Sequence, residues 1–142
     1  LAKLDIVGAA VHSNFNMPKR EMTERIIRAM RNSNVDIIFH PTGRVINKRP
    51  GYEIDIEAII KAALETETIL EIDAFPTRLD FNDHYIRKCV EAGVKMAIDS
   101  DAHHFSHLRY LNLGVAQARR GWAKKSDIIN TLPIKEFLKE LK

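Results

Sequence analysis

Four short apolar runs punctuate the chain, and stretches with apolar residues every three or four positions separate them. The first run, Ile6 to Val11, ends at His12. Pro18 then stands where a helix can begin, because proline is tolerated in a first turn. From there Met22, Ile26, Ile27 and Met30 share one face at helical spacing. The second run, Val35 to Phe39, ends at His40, and PTGRVINKRPGYE after it reads as a loop. Ile56, Ile59, Ile60, Ala63 and Leu64 give a second helical face. The third run, Thr68 to Ile72, carries Glu71 and ends at Asp73. Asn82 or Asp83 can cap a third helix with Tyr85, Ile86, Cys89 and Val90 inward, and Gly93 ends it. The fourth run, Val94 to Ile98, leads into DSDAHH. Leu108 to Arg119 follow, then a short helix capped by Ser126, then a last helix from Pro133 to Leu141.

Strands alternating with helices predict an α/β fold of parallel βα units with right-handed crossovers. Strands with little polar alternation are expected to be buried on both faces. Residues 1–142 form a single domain in this reading, with no internal repeat, low-complexity tract or linker. Four parallel strands are few for a complete α/β domain, and the apolar pattern starts almost at Leu1. The chain is therefore expected to be part of a larger unit, lacking segments on its N-terminal side.

Composition narrows the classes. The chain is 45% hydrophobic with a net charge of +3, which opposes disorder. One cysteine, Cys89, excludes a disulfide framework and a cysteine zinc ribbon and fits a reducing, cytoplasmic setting. Cys89 lies on a predicted buried face, where packing is its expected role. No apolar run approaches the roughly 18–20 residues of a membrane span, so no membrane partner is expected.

The polar residues able to do chemistry follow the runs. His12 follows the first, His40 the second, Asp73 the third, and Asp99, Asp101, His103 and His104 the fourth. Sites in parallel sheets form where loops converge at the carboxyl ends of strands. One histidine after a strand reads as a loop residue; ligand types after four successive strands form a pattern. Imidazole and carboxylate donors suit zinc, manganese or iron. In Asp101-Ala102-His103, alternate side chains can face the same side. Arg44 and Arg78 lie in the neighbouring loops, where a guanidinium fork can take phosphate oxygens or form a structural ion pair. NKRP and ARRGWAKK could hold a nucleic-acid backbone with Trp122 stacked on a base. The competing reading is a solvated helix end with Trp122 as a core anchor. Ser13 and Ser100 lack a nucleophile elbow, and no GxGxxG or Walker A motif is present. His84 and His107 read as surface residues.

AAVHSNF, FHPTGR, EIDAFPTRLDFND, IDSDAHH and GVAQARRGW, in this order, resemble the PHP (polymerase and histidinol phosphatase) domain. The likeness is greatest to the PHP domain at the C-terminus of bacterial and archaeal family X DNA polymerases, and it covers nearly the whole chain. It implies a partial, distorted (β/α)7 barrel with up to three divalent metals, manganese or zinc, at the strand ends. It implies phosphoester hydrolysis, of the 3′–5′ exonuclease or 3′-end phosphatase type on DNA ends. Carried over by motif, His12 and His40 resemble two ligands of one ion, Asp101 a ligand of a second and His103 of a third. Arg44 and Arg78 are expected near phosphate by neighbourhood. Asp73, which stands where relatives often carry Asn, is expected to support the ligands, with Asp99 and His104.

The family's early HxH motif, a following Asp or His, another histidine and the bridging glutamate have no counterpart here. This chain is therefore expected to be the C-terminal portion of such a domain, to bind metal weakly and to be catalytically poor alone. The rest of the PHP domain and a polymerase domain are its expected neighbours in a parent chain. The free edge of its first strand invites a homo-oligomer. A small-molecule phosphatase of the histidinol-phosphate kind and a non-catalytic, DNA-holding half-barrel are the alternatives.

Overall fold

The computed structural model describes residues 1–142. Its order is β1 (Gly8–Ala9), α1 (Lys19–Met30), β2 (Ile37–Ile38), α2 (Ile56–Thr66), β3 (Ile69–Asp73), α3 (Asp83–Ala92) and β4 (Met96–Asp99). A 3₁₀ segment, Phe105–Tyr110, leads into α4 (Leu111–Arg120); two 3₁₀ turns and a single helical turn, α5 (Ile134–Phe137), complete the chain. The four strands form one parallel sheet in the order β1-β2-β3-β4. This arrangement is consistent with part of a (β/α) barrel.

Local chemistry sets the helix limits. Asp55 caps α2 by accepting from the Ala58 N–H, and Asn82 caps α3 by accepting from the Tyr85 N–H. Gly93 ends α3 at φ 82°, a left-handed conformation that glycine adopts without a β-carbon clash.

Alternation along the strands divides the sheet into two faces. Ile38, Leu70, Ile72, Met96 and Ile98 join the main core with Met22, Ile26, Ile59, Ile60, Ile86 and Cys89 of the helices. Ile37, Ile69 and Ala97 face the other way and meet Ile129, with Phe39, Phe137 and Leu141 packed against them. All five residues of β3 are buried, as expected for a strand covered on both sides. Glu71 and Asp73 share the second face with Ile69, so β3 carries its carboxyls toward its carboxyl end above an apolar layer.

Several local expectations are corrected. β1 and β2 pair over two residues each, shorter than the apolar runs that contain them. Leu64 is exposed, at the edge of the buried face that Ile59, Ile60, Ala62 and Ala63 form on α2. Ser126 lies inside a 3₁₀ turn rather than capping a helix; there the Asp127 carboxylate accepts from the Lys124 N–H. The last helix contracts to one turn, since the tail is instead pinned by the Lys142 N–H donating to Asp36. Trp122 is 64% exposed, not a core anchor, and the Arg87 guanidinium covers its ring at 3.2 Å from the centroid.

Candidate functional site

The carboxyl ends of the strands gather the sequence-predicted residues. His12 follows β1 and is exposed; His40 follows β2 and is buried. Their rings stack with centroids 5.3 Å apart and planes at 28°. Nδ1 of His40 is buried without a hydrogen-bond partner. Burial, followed by the Arg78 cation, lowers the His40 pKa to about 4, so the ring is neutral at physiological pH. Neutral imidazole is the form that ligates a metal.

Asp73 ends β3 in full burial, and its Oδ1 accepts from the Phe75 N–H at 2.7 Å. Its Oδ2 has no hydrogen-bond partner and lies 3.4 Å from Nε of Arg78. Burial raises its pKa to about 7. Arg78 Nε also lies 3.1 Å from Oδ2 of Asp101, so one guanidinium stands between two carboxyls from two strand ends. Oδ1 of Asp99 is 3.4 Å from the Asp101 N–H.

Other predicted residues are placed differently. His103 is an exposed side chain whose Nδ1 lies 2.7 Å from the Asp101 carbonyl oxygen. Nδ1 of His104 accepts from the Ser106 N–H and caps the 3₁₀ segment. Arg44 turns inward: Nε donates to the Arg78 carbonyl at 2.7 Å and Nη2 to that of Leu79, bracing the loop that carries Arg78.

Two buried carboxyls complete the frame. Glu71 accepts from the His40 N–H and meets Asp99; burial and that neighbour hold its pKa far above the carboxylate range. A charged residue inside an apolar strand was the signal for Glu71. Asp80 accepts from Thr42 twice, from N–H at 3.0 Å and Oγ1 at 2.9 Å, and so fixes the HPTGR loop. Asp80 lies within EIDAFPTRLDFND, where nothing local marks its role. His40 at φ 31° and Asp101 at φ 44° both occupy left-handed backbone, which costs on the order of 1 kcal/mol or more for residues with a β-carbon. Strain of this kind collects where a fold holds functional side chains.

The donor set can be tested against a divalent ion. Imidazole and carboxylate are the right chemistry, and His40 Nδ1 is a buried polar atom that a cation would satisfy, whereas Asp73 Oδ2 already faces the Arg78 guanidinium at 3.4 Å. No three His, Cys, Asp or Glu side chains of this chain converge on one point, however. The chain offers a stacked pair of imidazoles, His12 and His40, and two carboxylates, Asp73 and Asp101, bridged by Arg78, rather than a closed cage.

A parallel βα sheet with neutral imidazole, carboxylates and a guanidinium at its carboxyl ends is the class of site found here. The chain is 44% identical over 142 residues to the DNA polymerase/3′-5′ exonuclease PolX of Bacillus subtilis (strain 168), covering 98% of this chain and 25% of that protein. It is 33% identical over 153 residues to a protein named "Probable phosphatase" from Thermoanaerobacter sp. (strain X514), spanning 60% of its length. A Shewanella pealeana protein of the same description is 38% identical over 111 residues, 72% of this chain and 42% of that one. The chain is homologous to these proteins and spans only part of each. No family model matches it.

Proposed function

We propose that the chain is the C-terminal part of a PHP-type, divalent-metal phosphoesterase acting on DNA ends as a 3′–5′ exonuclease or 3′-end phosphatase, within a longer polymerase-linked protein. One observation supports the reading: His12 and His40 stack after β1 and β2, and Arg78 lies between Asp73 and Asp101 after β3 and β4. The 44% identity to a polymerase/exonuclease supports the DNA substrate. A reducing, cytoplasmic compartment fits that substrate and the single buried thiol of Cys89.

His12 and His40 would hold one ion, and Asp101 with Asp73 would face a second, with His103 free to reach a third. Manganese or zinc there supplies Lewis acidity toward a phosphoryl oxygen and toward water. The chain's own residues do the rest. Glu71 fixes the His40 backbone, and Asp80 fixes the loop that follows it. Arg78 bonds Asp101 through Nε, which leaves its terminal nitrogens to take phosphate oxygens. Arg44 contributes by holding the Arg78 loop.

The test is manganese-dependent release of nucleotide or phosphate from a 3′-labelled oligonucleotide by the longer protein, compared with His40→Ala and Asp101→Asn. Loss in both variants is expected. Turnover of p-nitrophenyl phosphate without any action on DNA would favour the small-molecule reading, which the likeness to the phosphatases keeps in view. DNA binding with no hydrolysis would favour the holding half-barrel.

A further inference from the structure

Beside the candidate ligands lies an aromatic cluster that the catalytic reading does not use. Phe75 lies two residues after Asp73 and crosses the rings of His107 and Tyr110 edge-on, with centroids at 5.3 and 5.5 Å. His107 stacks on Tyr110 at 5.4 Å, and its Nδ1 accepts from the His103 N–H at 3.2 Å. His107 is thus half-buried, not the surface residue its loop position predicted. Phe105 packs against His104 at 4.2 Å, yet it is 79% exposed. The cluster is tied to both acidic strand ends: to Asp73 through the Phe75 N–H, and to the Asp101 loop through His103.

We propose that Phe105, packed on His104, whose ring lies 5.9 Å from that of His107 in the Phe75, His107 and Tyr110 cluster, is a nucleobase-stacking subsite, so that the site selects the end of a single-stranded polynucleotide over a small phosphate ester. Three observations favour a base over an apolar protein segment. The cluster is aromatic, and base–aromatic stacking tolerates any base because every base has a π-face. It adjoins groups able to take the phosphate of the same nucleotide. The sequence that follows suits a polyanion: residues 102–126 hold no Asp or Glu but include Arg109, Arg119, Lys124 and Lys125, with Arg120 paired to Asp83. The Arg109 guanidinium itself lies 5.5 Å from the Tyr110 ring. Phosphate held near Arg78 leaves its base to find a surface, and Phe105 presents one within two residues of His103.

The inference rests on the phosphoesterase reading for its orientation, so binding and hydrolysis are measured separately. Anisotropy of a labelled oligothymidylate, and of an abasic strand of equal length, is followed for the full chain without metal and for Phe105→Ala and Phe105→Tyr. Phe105 is exposed, so neither change threatens the fold. Phe105→Ala is expected to weaken oligothymidylate binding by about tenfold, the scale of one lost stack, while Phe105→Tyr restores it. The abasic strand is expected to bind more weakly and to ignore both changes. Equal oligothymidylate affinity for wild type and Phe105→Ala overturns the subsite, as does wild type that does not bind or binds the abasic strand equally. Absence of manganese-dependent phosphoester hydrolysis from the longer wild-type protein would sink the phosphoesterase reading while leaving the stacking result standing.

Discussion

Arg78 places Nε 3.1 Å from Oδ2 of Asp101, joining the loop after β3 to the loop after β4. The same atom is 3.4 Å from Oδ2 of the fully buried Asp73. This guanidinium is the positive charge that Asp73 and Asp101 share. Arg78→Gln is expected to lower stability by about 1–3 kcal/mol, below the cost of breaking a fully buried pair because Asp73 can take a proton. Without Arg78 the Asp73 pKa rises further above about 7, so the loss is expected to grow from pH 6 to pH 8. Thermal unfolding at both pH values checks this; an equal loss at each contradicts it.

Asp80 makes a pH prediction with a definite sign. Burial raises its pKa from 3.8 to about 6 in the folded chain. The folded state therefore binds more protons than the unfolded state between those values. The associated stability is fully present below about pH 4 and is lost as pH rises through about 6. Asp80→Asn keeps an oxygen to accept from the Thr42 N–H and removes the charge. It is expected to be less destabilising at pH 7 than at pH 4, by at most about 3 kcal/mol, and to flatten the slope between. Urea unfolding at the two pH values reads the difference.

Gly114 tests the packing that seats α4 against the strand ends. A β-carbon there would come 2.5 Å from Cγ2 of Ile98 and 2.8 Å from Cβ of Ala74. Ala74 follows Asp73, and Ile98 precedes Asp99, so displacement of α4 would reach the site. Alanine is worth up to about 1 kcal/mol over glycine inside a helix, whereas overpacking a core costs about 1–3 kcal/mol. Gly114→Ala is expected to destabilise on balance, and a raised melting temperature would contradict that.

The two sheet edges differ. Asn130 accepts from the Ile98 N–H at 3.1 Å and donates to its carbonyl, acting as a strand along β4, and Met96 bridges to Ile128. β1 has a strand neighbour on one side only, and Leu1, Leu4 and Ile6 near it are exposed. An open edge can pair with a strand from another chain. Light scattering is expected to show concentration-dependent association that Ile6→Lys weakens. A strict monomer at high concentration would count against it.

Much of this was legible in the residues, and the remainder has physical reasons. Asn82 and Gly93 marked the limits of α3 because caps are local. The parallel order followed from alternating runs. Strand lengths did not, since pairing over Gly8–Ala9 depends on a neighbour's backbone and not on hydrophobicity. The placement of His12, His40, Asp73 and Asp101 at one sheet edge was readable from their positions after the runs. The inward turn of Arg44 was not, because it depends on carbonyls of residues 78 and 79 that only the fold brings near. Asp80 was silent for the same reason: its partner, Thr42, is 38 positions away.

Manganese uptake measured by elemental analysis on the purified chain, wild type against His12→Ala, His40→Ala and Asp101→Asn, tests the central claim most directly. Donor pairs without a third ligand predict weak, saturable uptake that falls in all three variants. No uptake by wild type, or uptake that none of the three changes alters, would contradict the assignment of these residues to a metal-dependent phosphoesterase centre.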